Sequence, residues 1–306
     1  MNLPSDNTTR IGITLALCAY FIWGIAPIYF KFLAGVSPFA ILSHRVLWSF
    51  FFLALIIHLK QQWPQTRQAF ADRRTRYRLL ATSLLIASNW LIFIWAVNAN
   101  HMLDASLGYF INPLLSVVLG LLFLQERLRP RQWFAVFLAA IGVMIQLILF
   151  GSIPWVAIAL ACTFGFYGLL RKKLAINAQI GLFIETLLLM PVALIFLLFF
   201  APNSVLQWTD STLITWLFLL SAGVITTVPL LCFNGAATHL RLSTLGFFQY
   251  VGPTLMFILA TAVYGEPLTD GKLVTFAFIW AALILFCLDA WYNHRKQRLI
   301  TPKAIN

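Results

Sequence analysis

Charged residues are scarce in this sequence. Asp, Glu, Lys and Arg together make up 10% of its 306 residues, whereas apolar residues make up 61%. A water-soluble globule needs more polar surface than this composition supplies. The sequence therefore excludes an ordinary soluble domain and predicts a protein whose solvent is lipid.

Groups for catalysis and for metal binding are also lacking. The sequence contains no G-x-S-x-G, H-E-x-x-H, Walker or aspartate-rich motif, and these motifs carry hydrolysis and nucleotide chemistry in many enzymes. Its four cysteines lie inside apolar runs without metal-ligand spacing: Cys18, Cys162, Cys232 and Cys287. We therefore predict no enzyme activity, no metal site, no cofactor and no disulfide.

What the sequence does contain is a series of apolar segments long enough to cross a hydrocarbon layer about 30 Å thick. The first begins at Ile11 and is longer than a signal-peptide core. The pattern predicts ten transmembrane helices, at roughly 11–32, 39–59, 79–100, 104–125, 132–150, 153–171, 180–200, 212–236, 242–264 and 273–292.

The predicted spans explain where the basic residues lie along the chain. A net charge of +12 would suggest a nucleic-acid partner for a soluble protein, but here most Lys and Arg residues fall in the two tails and in every second loop. The positive-inside rule puts those loops and both termini in the cytoplasm, so we predict no nucleic-acid partner. We interpret the RRTRYR segment at 73–78 as part of a solvated topogenic loop; contact with anionic lipid is the alternative.

A segment near the middle of the chain returns later at constant spacing. SLGYF at 106–110 matches TLGFF at 244–248, and each precedes a proline that is followed thirteen residues later by a glutamate. This offset of nearly half the chain predicts two homologous repeats, 11–150 and 153–292, with tails at 1–10 and 293–306. Five spans per repeat is an odd number, so the two repeats should be inverted. The predicted fold is an all-α polytopic membrane protein.

Six segments carry a recognisable family pattern: AYFIWGIAPIYFK (19–31), HRVLWSFFF (44–52), NWLIFIWAVN (89–98), HMLDASLGYFINPL (101–114), VITTVPLLCF (224–233) and LRLSTLGFFQYVGPTLMF (240–257). They resemble the EamA family of the drug/metabolite transporter superfamily. The resemblance extends from Ile11 to Tyr292. It implies ten helices, two EamA repeats, a central cavity and secondary transport across a bacterial inner membrane, without indicating a substrate.

Polar and small residues recur at helical spacing on the fourth and ninth spans, which predicts two walls of a cavity. Pro113 and Pro253 should break these helices and leave backbone carbonyls that persist only when they are buried in protein or line water. Close packing of helices through small residues is the alternative. The cavity candidates are Tyr109, Asn112 and Ser116 on the fourth span and Phe248, Gln249, Tyr250 and Thr254 on the ninth.

Further aromatic and amide side chains are candidates for the same cavity: Trp23, Trp90, Trp95 and Asn98. The mixture fits an organic solute with an apolar body and a few hydrogen-bonding groups, and a cation is one option because aromatic faces attract cations. For any single Trp, an interfacial or packing role is the alternative.

Three ionisable residues lie inside spans, where a charge costs about 2.5–3.5 kcal/mol. They are His44 and Arg45 on the second span and Glu185 on the seventh. The inverted arrangement puts Arg45 and Glu185 at different depths, so we expect separate roles: Glu185 in proton or cation coupling, and Arg45 at a substrate anion or a gate. A snorkelling Arg and a locally paired Glu are the alternative.

His101 and Asp104 flank the turn between the third and fourth spans. They are candidates for a proton relay, because His titrates near physiological pH; an amino-terminal cap by Asp104 is the alternative. The function predicted from all these features is an exporter or permease for a small organic metabolite or drug-like solute, working by alternating access with proton coupling. A passive facilitator and a lipid-type flippase are the alternatives, and the oligomeric state stays open.

Overall fold

The computed structural model describes residues 6–33, 35–98, 102–151, 153–200, 213–263 and 270–300, and no strand occurs among them. Two five-residue π-helical turns, Phe196–Phe200 and Leu259–Val263, continue the eighth and eleventh helices. The helices are α1 (Asp6–Lys31), α2 (Pro38–Leu59), α3 (Trp63–Ala71), α4 (Arg73–Asn98), α5 (Met102–Leu124), α6 (Pro130–Phe150), α7 (Trp155–Leu174), α8 (Ala178–Ile195), α9 (Leu213–His239), α10 (Leu242–Gln249), α11 (Val251–Ile258) and α12 (Asp270–Ile300).

Eight of the described helices are long and apolar enough to cross a membrane: α1, α2, α4, α5, α6, α8, α9 and α12. Of the two remaining predicted spans, one corresponds to α7, whose last turn holds three cations, Arg171 to Lys173. The other is divided between the short helices α10 and α11. The all-α polytopic fold is confirmed, and the count of ten spans stays a prediction.

Local sequence signals set several helix ends. The Ser37 hydroxyl accepts a hydrogen bond from the Ala40 amide at 3.3 Å and caps α2. The Asn177 side chain does the same for α8, accepting from the Gln179 amide at 2.9 Å. Gly151 ends α6 with a φ of 75°, which a glycine adopts without steric cost. These caps pair backbone groups that would otherwise be left over at helix ends.

The two prolines that were expected to break helices act differently. α5 continues through Pro113 without interruption. In the second half of the chain, the corresponding helix is interrupted at Tyr250, three residues before Pro253. Pro253 has no N–H, so the backbone carbonyl of Gln249 lacks the i+4 donor that a continuous helix would supply.

Helix contacts repeat across the two halves of the chain. Under the predicted repeat, α1 corresponds to α7, α2 to α8, α4 to α9, α5 to α10 with α11, and α6 to α12. α1 contacts α9 and, correspondingly, α7 contacts α4; α5 contacts α7 and, correspondingly, α1 contacts α11. α2 contacts its own counterpart α8, and α6 contacts α12. A two-fold relation between repeats produces such reciprocal contacts, although the division into repeats remains a prediction.

The surface is apolar, as the composition predicts. Large side chains such as Phe199, Leu122 and Ile148 are at least 70% exposed. Patches of this kind are unusual on soluble monomers but are ordinary where lipid is the solvent. Polar groups are therefore concentrated inside the helix bundle, where the cavity and the ion pair described next are found.

Candidate functional site: a central cavity and a buried ion pair

A cavity of about 950 Å³, counting its open mouth, lies between helices from both halves of the chain. Sites for small organic ligands are mainly apolar with a few polar groups, and the lining of this cavity has that character. None of the described side chains of α6 and α12 lines this cavity. The lining residues are Tyr20, Trp23, Ala26 and Pro27 of α1; Arg45 of α2; Asn89, Trp90 and Phe93 of α4; Gly108, Tyr109 and Asn112 of α5; Leu160 and Phe164 of α7; Gln249 of α10; and Gly252, Pro253 and Met256 of α11.

Arg45 is held in a fixed orientation at the cavity wall. Its Nε donates to Thr226 Oγ1 of α9 at 2.8 Å, and its guanidinium carbon lies 4.6 Å from the ring centroid of Trp90. The side chain is 7% exposed. The guanidinium is thus buried at the cavity wall and oriented by contacts to α9 and α4.

Amide side chains connect the walls of the cavity. Asn89 Nδ2 donates to the Leu160 carbonyl and to Thr163 Oγ1, each at 2.9 Å, and so joins α4 to α7. Gln249 Oε1 accepts from the Ser116 hydroxyl at 3.3 Å. In each amide, one polar atom is thus hydrogen-bonded to the protein: Nδ2 of Asn89 and Oε1 of Gln249.

One polar atom at the cavity is buried without a hydrogen-bond partner among the described residues. It is Oδ1 of Asn112, on a side chain that is 7% exposed. Most buried polar groups in native proteins do find a partner. Unpaired groups that face a cavity are therefore candidates for ligand contacts.

Aromatic rings form the apolar part of the wall and hold one another in place. Trp23 meets Tyr20 and Phe164 with ring centroids 5.6 Å apart in each case. Phe93 meets Tyr109 edge-on at 5.8 Å. Edge-to-face contacts of this kind stabilise a fixed arrangement of rings, so the cavity presents a preformed aromatic surface.

Several residues that the sequence suggested for the cavity lie elsewhere. Trp95 faces away and meets Trp155 at 5.5 Å, since five residues along a helix rotate a side chain by about 140° relative to Trp90. Ser116, Phe248, Tyr250, Thr254 and Pro113 pack within the helix bundle: Tyr250 Oη donates to the Phe110 carbonyl at 3.3 Å, and Thr254 Oγ1 accepts from Trp280 Nε1 at 3.2 Å. His101 and the side chains of Asn98 and Asp104 lie outside the described residues.

The cavity lining also includes aromatic and apolar side chains that the sequence analysis did not select, among them Tyr20, Phe93, Phe164 and Met256. A signal for α1 was present, because Tyr20, Trp23 and Pro27 recur at i, i+3 and i+7. That spacing is equally typical of core packing, so it becomes informative only once the rotation of α1 is known.

Glu185 lies away from this cavity in a buried network that joins four helices. Its Oε1 accepts from Thr82 Oγ1 of α4 at 2.6 Å and lies 3.5 Å from Arg171 Nη1 of α7. Its Oε2 accepts from the Tyr167 hydroxyl at 3.5 Å, and that hydroxyl accepts from Asn234 Nδ2 of α9 at 2.9 Å. Glu185 and Arg171 are 1% and 3% exposed, so they form a buried ion pair.

A second, narrow cavity borders this network. It is lined by Glu185 together with Trp90 and Thr226, and both of the latter residues contact Arg45. Trp90 and Thr226 therefore lie near both Arg45 and Glu185, and the described structure shows no ion pair between these two charged residues. His44, the third intramembrane candidate, is buried edge-on to Trp216, with ring centroids 6.0 Å apart, and neither of its nitrogens has a hydrogen-bond partner among the described residues.

One polar contact connects the two halves at a helix start. Glu126, in the connection between α5 and α6, accepts hydrogen bonds from the amides of Leu242 and Ser243 at 2.6 and 2.9 Å and from the Ser243 hydroxyl at 2.6 Å. A carboxylate at a helix amino terminus pairs with free N–H groups and with the positive end of the helix dipole. Gly120 leaves room for it, because a Cβ there would lie 2.7 Å from Glu126 Oε2.

Comparison with known proteins identifies relatives of this arrangement. Residues 10–148 match the EamA-like transporter family. The chain is 60% identical over 289 residues to an uncharacterized transporter of Vibrio cholerae, covering 94% of this chain and 95% of that one. It is 54% identical over 288 residues to Protein RarD of Escherichia coli, covering 94% and 97%. It is 32% identical over 290 residues to Chloramphenicol-sensitive protein RarD of Pseudomonas aeruginosa, covering 94% and 96%.

A solved crystal structure has the same fold. It aligns with a TM-score of 0.70 at 16% identity, covering 91% of this chain and 96% of that one. At this identity the likeness concerns the fold alone.

Proposed function

Because the chain belongs to the EamA-like transporter family, alongside RarD proteins that are 54% identical to it, we propose that it moves a small organic solute across the bacterial cytoplasmic membrane. The observation that carries this proposal is the central cavity, whose walls come from both halves of the chain. Secondary transporters commonly bind their substrate between two repeats near the middle of the membrane.

Alternating access is the mechanism we propose. If the halves are inverted repeats, each can adopt the conformation of the other, so that the cavity opens first to one side and then to the other. Glu126 belongs to one half and Ser243 to the other. With both termini in the cytoplasm, this contact lies at the cytoplasmic end, and its release accompanies opening on that side.

We assign proton coupling to Glu185. Protonation would remove the negative charge that faces Arg171 and leave a buried guanidinium without its partner charge, which is strongly unfavourable. The Thr82 and Tyr167 contacts of the same carboxylate would weaken as well. Since these residues lie on α4, α7 and α8, proton uptake would loosen the contact between the halves of the chain.

The test is solute-dependent proton movement in inverted membrane vesicles that contain the overproduced protein. Amino acids, amines, aromatic acids and amphenicols are added after a pH gradient is established, and a pH-sensitive dye reports its decay. We expect one solute class to accelerate decay and Glu185→Gln to abolish the effect. Asp72→Asn, which changes an exposed carboxylate in the connection between α3 and α4, should leave it unchanged.

A folding control and a second variant help to interpret the result of this test. The amount of folded protein in each vesicle preparation is measured by size-exclusion chromatography after extraction. Thr82→Val removes one hydrogen bond to the carboxylate but keeps its charge, so we expect it to shift the pH dependence of transport without abolishing transport. Solute uptake with no proton movement and a silent Glu185→Gln would identify a passive facilitator and reject the coupling assignment.

A further inference from the structure

The narrow cavity beside Glu185 contains a buried hydroxyl without a partner. The cavity lies between α2, α4, α8 and α9, and Glu185 is the only ionisable side chain among its described lining residues. Thr227 of α9 also lines it. This side chain is 1% exposed, and its Oγ1 has no hydrogen-bond partner among the described residues. Since most buried polar groups in native proteins do find a partner, Thr227 indicates that a hydrogen-bonding ligand binds in this cavity.

Water is the ligand that fits the size and chemistry of the narrow cavity. The cavity has room for about one water molecule and is too small for an organic solute. Glu185 Oε2 accepts one hydrogen bond, from the Tyr167 hydroxyl at 3.5 Å, and a carboxylate oxygen can accept a second. Thr226 Oγ1 accepts from Arg45 Nε, which leaves its hydroxyl hydrogen available to donate. With Thr227, these groups supply the two or more polar partners that a buried water needs.

The narrow cavity also lies next to the central cavity. Trp90 lines both of them, so the two cavities are neighbours at this side chain. The ionisable groups that contact Glu185 directly are Tyr167 and Arg171, both from α7. α2 and α9 contribute only neutral side chains to the described lining of the narrow cavity. A proton carrier can therefore approach the carboxylate from this side without meeting the Arg171 cation.

We propose that a water molecule held by Thr227 in the narrow cavity carries protons between the central cavity and Glu185. This inference rests on the proposed proton coupling at Glu185. In each uptake step the water gives one proton to a carboxylate oxygen and takes one from a hydronium ion in the central cavity, so the water itself is restored. Thr227 is a positioning residue, because it orients the water and exchanges no proton with the carboxylate.

The rate at which Glu185 takes up a proton tests this water directly. Purified protein in liposomes receives protons from a caged acid after a light pulse, and time-resolved infrared spectroscopy follows the C=O band of the protonated carboxyl. The band that is missing in Glu185→Gln belongs to Glu185. We expect Thr227→Val to slow the appearance of this band about tenfold, because the hydrogen bond that positions the water is lost. Thr227→Ser retains a hydroxyl and should retain the parent rate.

A second variant tests the route through the central cavity. Ala26→Phe adds a ring to the lining of that cavity, so we expect it to slow protonation of Glu185 as well. Ala281→Phe is its matched control at an exposed position of α12, and Thr238→Val is the matched control for Thr227→Val at an exposed position of α9. Neither control should change the rate. Size-exclusion chromatography shows whether each variant is folded.

Several results would overturn the inference. These are an unchanged rate in a folded Thr227→Val protein, equal slowing by Thr227→Ser, or an unchanged rate in Ala26→Phe, which would place the proton route elsewhere. The two proposals fail separately. If the Thr227 variants behave as expected but Glu185→Gln vesicles keep solute-dependent proton movement, the coupling assignment fails and the water site stands. If Glu185→Gln abolishes that movement but Thr227→Val has the parent rate, coupling stands and the water site fails. If no band disappears in Glu185→Gln, both are rejected.

Discussion

Glu185 and Arg171 form a buried ion pair, so removing one partner should destabilise the protein much more than removing both. The single change Glu185→Leu leaves the Arg171 guanidinium in an apolar core. Among the described residues, Arg171 also donates a hydrogen bond to the Ala178 carbonyl at 3.4 Å, which does not compensate a charge. The double change Glu185→Leu with Arg171→Met replaces the pair by apolar side chains of similar size.

The expected sizes follow from the surroundings of the pair. Leaving one buried charge uncompensated costs about 3–5 kcal/mol, whereas replacing a buried pair by packed apolar residues is about neutral or stabilising. The neighbours of Glu185 retain other partners in the double variant. Thr82 Oγ1 can donate instead to the Leu79 carbonyl, 3.0 Å away, and the Tyr167 hydroxyl still accepts from Asn234. We therefore expect the double variant to recover most of the free energy lost in the single variant.

The assay is reversible unfolding in mixed micelles with an increasing mole fraction of sodium dodecyl sulfate, followed by tryptophan fluorescence. Four proteins, the parent, both single variants and the double variant, give the coupling free energy of the pair. Arg129 and Asp289 provide a matched cycle, because their nitrogen and oxygen atoms lie 2.7 Å apart but the arginine side chain is 41% exposed. Solvent screening should reduce that coupling to about 1 kcal/mol or less. Additive effects at Glu185 and Arg171, or a single variant as stable as the parent, would refute the reasoning.

Two further changes test contacts outside the ion pair. Glu126→Gln should lower the unfolding free energy by about 1–2 kcal/mol, since the carboxylate caps α10 with charge-assisted hydrogen bonds. The same unfolding assay measures this difference. An unchanged unfolding free energy would contradict the capping role. Asp72 accepts from the Thr75 amide at 2.9 Å, and hydrogen bonds to Thr75 lower the pKa of this carboxyl. The stabilising contribution of Asp72 is therefore complete above the ordinary aspartate pKa and is lost as the pH falls through the lowered value. We expect Asp72→Asn to be less stable than the parent at neutral pH and equally stable in strong acid. A difference in unfolding free energy that persists in acid would contradict this.

Predictions from the sequence were confirmed for properties that depend on consecutive residues, such as hydropathy and motif spacing. The lipid environment, the apolar helices and the family pattern all followed from residues read in order, and the structure and the relatives confirm them. It was less informative about which side of a helix faces the cavity. Trp90 lines the cavity and Trp95 does not, because two positions on one helix can point in nearly opposite directions.

The sequence also did not indicate which side chains form ion pairs with each other. Glu185 was expected to act in proton or cation coupling, with a locally paired Glu as the alternative. The structure places Arg171 beside it across the turn between α7 and α8. The sequence analysis gave no separate role to Arg171, which precedes Lys172 and Lys173, because consecutive cations look equivalent in a sequence. On the helix they point in different directions, and only Arg171 turns inward, to 3% exposure.

The sequence by itself determined the solvent, the helical class and the family, because hydropathy and motif spacing are properties of the chain taken one segment at a time. The tertiary structure decided which polar groups meet. It placed Arg45 on Trp90, Glu185 on Arg171 and Glu126 on the start of α10. These meetings depend on how each helix is rotated and on which helices are neighbours, and both are fixed by packing between segments distant along the chain.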